Sequence, residues 1–165
     1  MLVEDKILPK EINNLYEDLV QNSYQKLNEK EKKIIKDALI IAYNAHEGQL
    51  RKSGEPYIHH PLGVAKIVAH NIGLDSDSIA ASLLHDVVED TKLTMTDINK
   101  AMGNNIGKIV DGLTKISILR KNKDYSVQAE NYRRMLLTLH NDIRVILIKI
   151  ADRLHNMRTI EYLDD

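Results

Sequence analysis

Apolar residues recur along this chain at three- and four-residue spacing, broken by short polar stretches, and that period predicts helices nearly throughout. A first helix is expected over Pro9 to Lys26. Asn28 with Glu31 three positions on is the signature of a reciprocal cap opening a longer helix toward Glu47, which Gly48 helps to end. After a loop at 48 to 59, helices are expected from about Pro61 to Asn71, Ser76 to Asp90 and Thr96 to Met102. Gly103-Asn104-Asn105-Ile106-Gly107 reads as a break before another short helix through Ile109 and Val110. Arg120 to Ser126 is polar, either a long surface loop or a lid over a cleft. Two closing helices, Val127 to Leu139 and Ile143 to about Tyr162, are parted by Asn141-Asp142. No strand and no internal repeat is needed, so the fold class is all-α, a single helical bundle. Residues 1 to 27 form an N-terminal helical segment ahead of a domain at 28 to 165.

The polar positions that interrupt this apolar pattern carry the chemistry. His85-Asp86 is followed three residues later by Glu89-Asp90 inside an otherwise apolar helical stretch, where ionisable groups reduce stability unless something holds them. At about 100° per residue, Asp86, Glu89 and Asp90 lie roughly 100°, 40° and 140° from His85, on one face, while Leu84, Val87 and Val88 face the core. His59-His60-Pro61 places His60 at a helix start, because proline suits the first helical position and restrains the residue before it. His59 then points elsewhere. Asp152 stands in helical register with Val145 and Ile148, so a carboxylate occupies a core row; it requires either a salt bridge from Arg153 or Arg158, or a metal ion. His60, His85, Asp86 and Asp152 together supply two imidazoles and two carboxylates from three helices. That set, without thiolate, suits manganese, iron or zinc.

Five separated blocks carry a resemblance: Arg51-Lys52-Ser53-Gly54-Glu55-Pro56-Tyr57, His60-Pro61, His85 through Thr91, Asp111 through Lys115, and Ala151 through Arg158. In this order they resemble the hydrolase domain of the RelA/SpoT family of alarmone enzymes, over roughly residues 35 to 163; His85-Asp86 alone points only to the wider HD phosphohydrolase superfamily. The resemblance implies an HD-type helical bundle that hydrolyses guanosine 3′,5′-bispyrophosphate (ppGpp) and its pentaphosphate relative, releasing the 3′-pyrophosphate to leave GDP or GTP. It implies Mn2+ held by His60, His85, Asp86 and Asp152, with Glu89 and Asp90 acting on the attacking water as base and orienting group. It also places the guanine end of the nucleotide near Arg51.

For substrate the candidates are Arg51, Lys52, Ser53, Tyr57, Thr114, Lys115 and Asn156. Arg51 can stack on a purine or fork a phosphate, whereas Lys52 is equally an ordinary basic turn residue. Asn156 follows Asp152 by one turn and looks into the same cleft. Thr114 and Lys115 rest on the family block, and Tyr57 either lines the nucleotide pocket or packs in its loop. His46 is evenly balanced between supporting a ligand and no role, and His155 reads as a hydrogen-bonded structural residue. Family members continue past the end of this domain with further helices and, in long members, with synthetase and regulatory domains, so a truncated C-terminus is expected. Two rival readings remain: an HD phosphohydrolase for other nucleotides, and a silent module that binds the alarmone without cleaving it.

Composition narrows the partners. With 23 basic and 24 acidic side chains the net charge is −1, so no polyanion-binding surface is advertised and no nucleic-acid partner is expected. There is no cysteine, which removes disulfides and thiolate sites together. No apolar run approaches the ~20 residues needed to cross a bilayer, and Met1 to Lys10 lacks the apolar stretch of a signal peptide, so no membrane association and a cytoplasmic location are expected.

Overall fold

Helix starts follow local capping chemistry. In the computed structural model, which describes residues 8–121 and 142–159, α1 (Lys10–Gln21) precedes α2 (Glu29–Ala45). Asn28 opens α2 as expected: its side chain accepts from the backbone N–H groups of Lys30 and Glu31, and Glu31 accepts from Asn28 N–H at 2.8 Å. Then come α3 (His59–Lys66), α4 (Ser76–Leu83), α5 (Val87–Asp90), α6 (Met95–Met102), α7 (Asn104–Lys121) and α8 (Ile143–Arg158). The described residues contain no strand, only one isolated bridge between Leu50 and Pro56 that pinches the loop after α2. No described helix is long and apolar enough to cross a membrane.

Several boundaries differ from the sequence expectation, among them the end of α1 at Gln21 rather than Lys26 and the course of α7 through Arg120 and Lys121, where a loop was expected. α3 begins at His59, so Pro61 is its third residue; the missing N–H costs nothing there because the first four helical donors have no partner in the helix. The same rod continues past Lys66 as a wide π-helical turn, Ile67–Ile72, ended by Gly73 at φ 76°. The single helix expected over Ser76 to Asp90 is broken at Leu84–Asp86, which turns His85 and Asp86 out of ideal register. Gly103 alone separates α6 from α7, and Gly107 lies within α7. Gly107 is there for close approach, since a Cβ would collide with the Asn99 amide of α6. The Val127 to Leu139 helix and nearly all of the Arg120 to Ser126 stretch lie outside the described residues, as does the end of the last helix beyond Thr159.

α4 is the axis of the bundle, packed against α2, α3, α7 and α8. Ile79, Ala80, Ala81 and Leu83 are fully buried, and the small residues let neighbouring backbones come close. Ser82 is buried as well, its hydroxyl donating to Ile79 O at 2.7 Å. α1 seals one side through Ile12, Tyr16 and Leu19, which join the same apolar cluster. Because α4 runs through the middle, whatever follows Leu83 is delivered to the centre of the molecule.

Candidate metal centre

His85 and Asp86 are what α4 delivers. The His85 ring is completely buried, and its Nδ1 donates to Ser82 O at 2.8 Å. A carbonyl oxygen can only accept, so the neutral ring carries its proton on Nδ1 and presents a lone pair at Nε2. That Nε2 is buried without a hydrogen bond of acceptable geometry, although Asp86 Oδ2 stands 2.9 Å and Asp152 Oδ1 3.7 Å away. From the first turn of α3, His60 brings its Nε2 to 3.3 Å from Asp152 Oδ1 and 3.7 Å from Asp86 Oδ2. Ligand atoms of His60, His85 and Asp152 all lie within 4.8 Å of one another, with room for one ion at the ~2.0–2.2 Å bond lengths of nitrogen and oxygen donors.

Electrostatics at the cluster favour a cation. Burial opposes charge on Asp86 and Asp152, yet the imidazoles of His85 and, for Asp152, His60 outweigh it and hold both carboxyls well below the usual range. Burial likewise opposes the imidazolium of His85, but Asp86 and Asp152 prevail and raise that ring to about 10. At His60 burial wins and lowers it. An orphaned nitrogen in a field that attracts positive charge, beside oxygen donors and no thiolate, fits a divalent ion of the manganese, iron or zinc type. Asp152 therefore has polar company, though not the one expected from sequence: Arg153 and Arg158 are exposed, and the nearby cation is Lys149, with Nζ 3.6 Å from Asp152 Oδ2.

A polar frame surrounds the four groups. The Tyr57 hydroxyl donates to Asp86 Oδ2 at 2.6 Å and approaches Asp90 Oδ2 at 3.5 Å, while its ring stacks on buried His46 with centroids 4.4 Å apart. Burial, then the adjoining Asp86, keeps that phenol protonated well above its ordinary range. His46 Nδ1 pairs with Gln49 Oε1 at 2.7 Å, and Gln49 Nε2 donates to Asp90 O at 3.0 Å, so His46 supports the site without touching it. Across the cleft, Arg51 Nη2 donates to Asn156 Oδ1 at 3.0 Å and Asn156 Nδ2 donates to Asp152 Oδ1 at 2.9 Å. His155 lies behind His60; burial, then the neighbouring His60 and Arg51, pulls it down to about 4.

These groups line an open cleft of about 390 Å3. Its cations are Arg51 and Lys149, its carboxylates Asp86, Glu89, Asp90 and Asp152, and Tyr57, Asn156 and Ser117 complete the wall. Four of the substrate candidates stand outside it. Lys52 is exposed, the Ser53 hydroxyl donates to Glu55 at 3.4 Å, buried Thr114 donates to Val110 O at 3.0 Å, and Lys115 pairs with Asp111 on the surface. The cleft also holds two residues that sequence reasoning passed over. Lys149 sits one turn before Asp152, a spacing that could have flagged it, whereas Ser117 is set there only by how α7 packs.

The sequence matches the HD domain family over residues 38–165. It is 46% identical over 146 residues to the bifunctional (p)ppGpp synthase/hydrolase SpoT of Escherichia coli, covering 88% of this chain and 21% of that protein. It is 50% identical over 121 residues to a guanosine-3′,5′-bis(diphosphate) 3′-pyrophosphohydrolase of Haemophilus influenzae, covering 73% of this chain and 18% of that one. The chain thus spans about a fifth of the length of these curated relatives. Among solved structures, a metazoan ortholog of SpoT that hydrolyses ppGpp superposes with a TM-score of 0.59 at 29% identity, covering 78% of this chain and 70% of the other.

Proposed function

The chain belongs to the HD domain family, and from that premise we propose that it is a divalent-metal-dependent hydrolase that removes the 3′-pyrophosphate from ppGpp and pppGpp, leaving GDP or GTP, in stringent-response control. The observation that carries the reading is the convergence of His60, His85 and Asp152 on one buried point, with Asp86 beside both imidazoles, at the floor of a cleft that also holds two carboxylates and two cations. The reaction named for the relatives makes ppGpp the substrate to test first.

The proposed ion is Mn2+, held by those four residues. When bound, such an ion supplies Lewis acidity, lowering the pKa of water and offsetting phosphate charge. Glu89 and Asp90 stand one turn beyond the ligand pair, within the cleft, where one removes the proton from the attacking water and the other aligns it. As the water oxygen bonds to the phosphorus nearest the sugar, the bond to the 3′-oxygen breaks and that oxygen takes up a proton. Tyr57 fixes Asp86 throughout. Arg51 and Lys149 receive anionic oxygens of the nucleotide, and Asn156 holds the Arg51 fork in place. Lys52, Ser53, Thr114 and Lys115, outside the cleft, are given no direct contact in this scheme. The compartment proposed for this reaction is the cytoplasm.

The test is pyrophosphate release from ppGpp by the whole chain after chelation and reloading with Mn2+. Turnover that tracks bound metal and stops with excess chelator is expected. A folded, metal-loaded sample that binds ppGpp without cleaving it, or that prefers an ordinary nucleoside triphosphate, would overturn the assignment.

A further inference from the structure

The rings of His60 and His155 meet nitrogen to nitrogen. Their Nδ1 atoms are 3.0 Å apart, with centroids at 5.0 Å and planes inclined by 54°. In a neutral pair of this kind one nitrogen donates and the other accepts. At its opposite edge His60 turns Nε2 toward Asp152 Oδ1, 3.3 Å away. If Nε2 is to offer its lone pair to a cation, the ring's one proton must sit on Nδ1, and the acceptor for that proton is His155 Nδ1.

We propose that His155 is a positioning residue, the hydrogen-bond acceptor that holds His60 in the tautomer and orientation able to ligate a divalent ion. The inference rests on the metal reading above and deepens it. The contrast with His85 sharpens the point: that ring is fixed by a backbone carbonyl, Ser82 O, whereas His60 depends on a side chain. Metal-binding histidines commonly hand their second N–H to an acceptor of this sort, and removing such an acceptor weakens metal affinity by about 10- to 100-fold.

A second, independent observation is the space made for the His155 ring. Gly63 lies in α3 one turn after His59 and His60, and a Cβ on it would collide with His155 Nε2 and Cδ2. Gly63 has an ordinary helical backbone without positive φ, so conformational freedom does not account for glycine here. Close approach of the imidazole does. Since His155 is three residues from Asp152, one turn of α8 supplies both the carboxylate beside His60 Nε2 and the acceptor at its Nδ1.

The experiment measures Mn2+ affinity of the whole chain by competition with a chromogenic chelator, in wild type, His155→Leu, His155→Gln, Gly63→Ala and the Gly63→Ala/His155→Leu double variant. His155→Leu is expected to weaken binding by about 10- to 100-fold, and His155→Gln, whose amide oxygen can accept, to recover much of the loss. Gly63→Ala should also weaken binding, yet add little in the His155→Leu background, because both changes remove one contact. Far-UV circular dichroism and metal-free thermal unfolding establish that the variants are folded. Nitrogen-15 spectra of the Zn2+-loaded wild type should show His60 protonated at Nδ1 and His155 unprotonated there. Wild-type affinity in folded His155→Leu, or an unprotonated His60 Nδ1 in the loaded protein, overturns the inference alone. A wild-type chain that takes up no divalent ion overturns the metal reading and this inference together.

Discussion

Replacing Tyr57 by phenylalanine deletes one oxygen atom and tests whether the loop after α2 sets the geometry of a metal ligand. That hydroxyl donates to Asp86 Oδ2 at 2.6 Å, while the ring stays stacked on His46 at 4.4 Å. A hydrogen bond to a charged acceptor is worth roughly 1.5–3 kcal/mol net. With a tenfold change in affinity per ~1.4 kcal/mol, full loss corresponds to roughly 10- to 100-fold. The smaller figure is expected, because the hydroxyl would act on the cation only through Asp86, one of four proposed ligands. Since the phenylalanine keeps the apolar contact, metal-free thermal stability should hardly move, which separates a local effect from unfolding. Competition titration with Mn2+ gives the affinity, and steady-state pyrophosphate release at saturating Mn2+ gives kcat. A Tyr57→Phe protein equal to wild type in both would show that Asp86 is either not a ligand or not held by Tyr57.

Three further outcomes are expected. Glu89→Gln should keep metal stoichiometry while lowering kcat by roughly 10² to 10⁴-fold, the contribution of a lost general base; unchanged turnover would remove Glu89 from the mechanism. Arg51→Ala should raise KM for ppGpp more than it lowers kcat, since the guanidinium stands in the cleft wall held by Asn156, and an unaltered KM would count against that placement. Asp75 starts α4, accepting from Ser78 N–H and from Arg144 Nη1 of α8 at 3.0 Å; burial opposes its ionisation, but the Ser78 and Arg144 donors prevail and hold its carboxyl below 3.8. A depressed folded-state pKa means the contribution is complete above 3.8 and is lost as pH falls through the lower folded value. Urea midpoints should therefore show Asp75→Asn less stable than wild type at neutral pH and nearly equal in strong acid, the gap being under about 1 kcal/mol for so exposed a pair; a gap independent of pH would refute the linkage.

Legibility in the sequence differed from one residue to the next. The Asn28 cap and the register of Asp152 with Val145 and Ile148 depend on interactions within a few residues, so spacing alone exposes them. His59 turned away from the site, toward Glu11 at 3.6 Å, as its neighbour's placement required. Other readings failed where two helices meet. Gly107 looked like a chain break because glycine in sequence carries no sign of what approaches it, and only packing on Asn99 shows that the missing Cβ is the point. The break at Leu84–Asp86 was invisible to periodicity because the residues on both sides are equally suited to helix.

What the sequence determined by itself was therefore the helical character, most of the caps and the identity of the residues able to hold a cation, since propensity, capping and ligand chemistry belong to individual side chains and their near neighbours. Which candidates meet was decided by the tertiary structure alone. Packing of α3 and α8 around α4 brings residues as far apart in the chain as His60 and Asp152 to 3.3 Å, and carries Thr114 and Lys115 away from the cleft. Such distances follow from how apolar faces of different helices share one core, a property of the whole assembly that no local window contains.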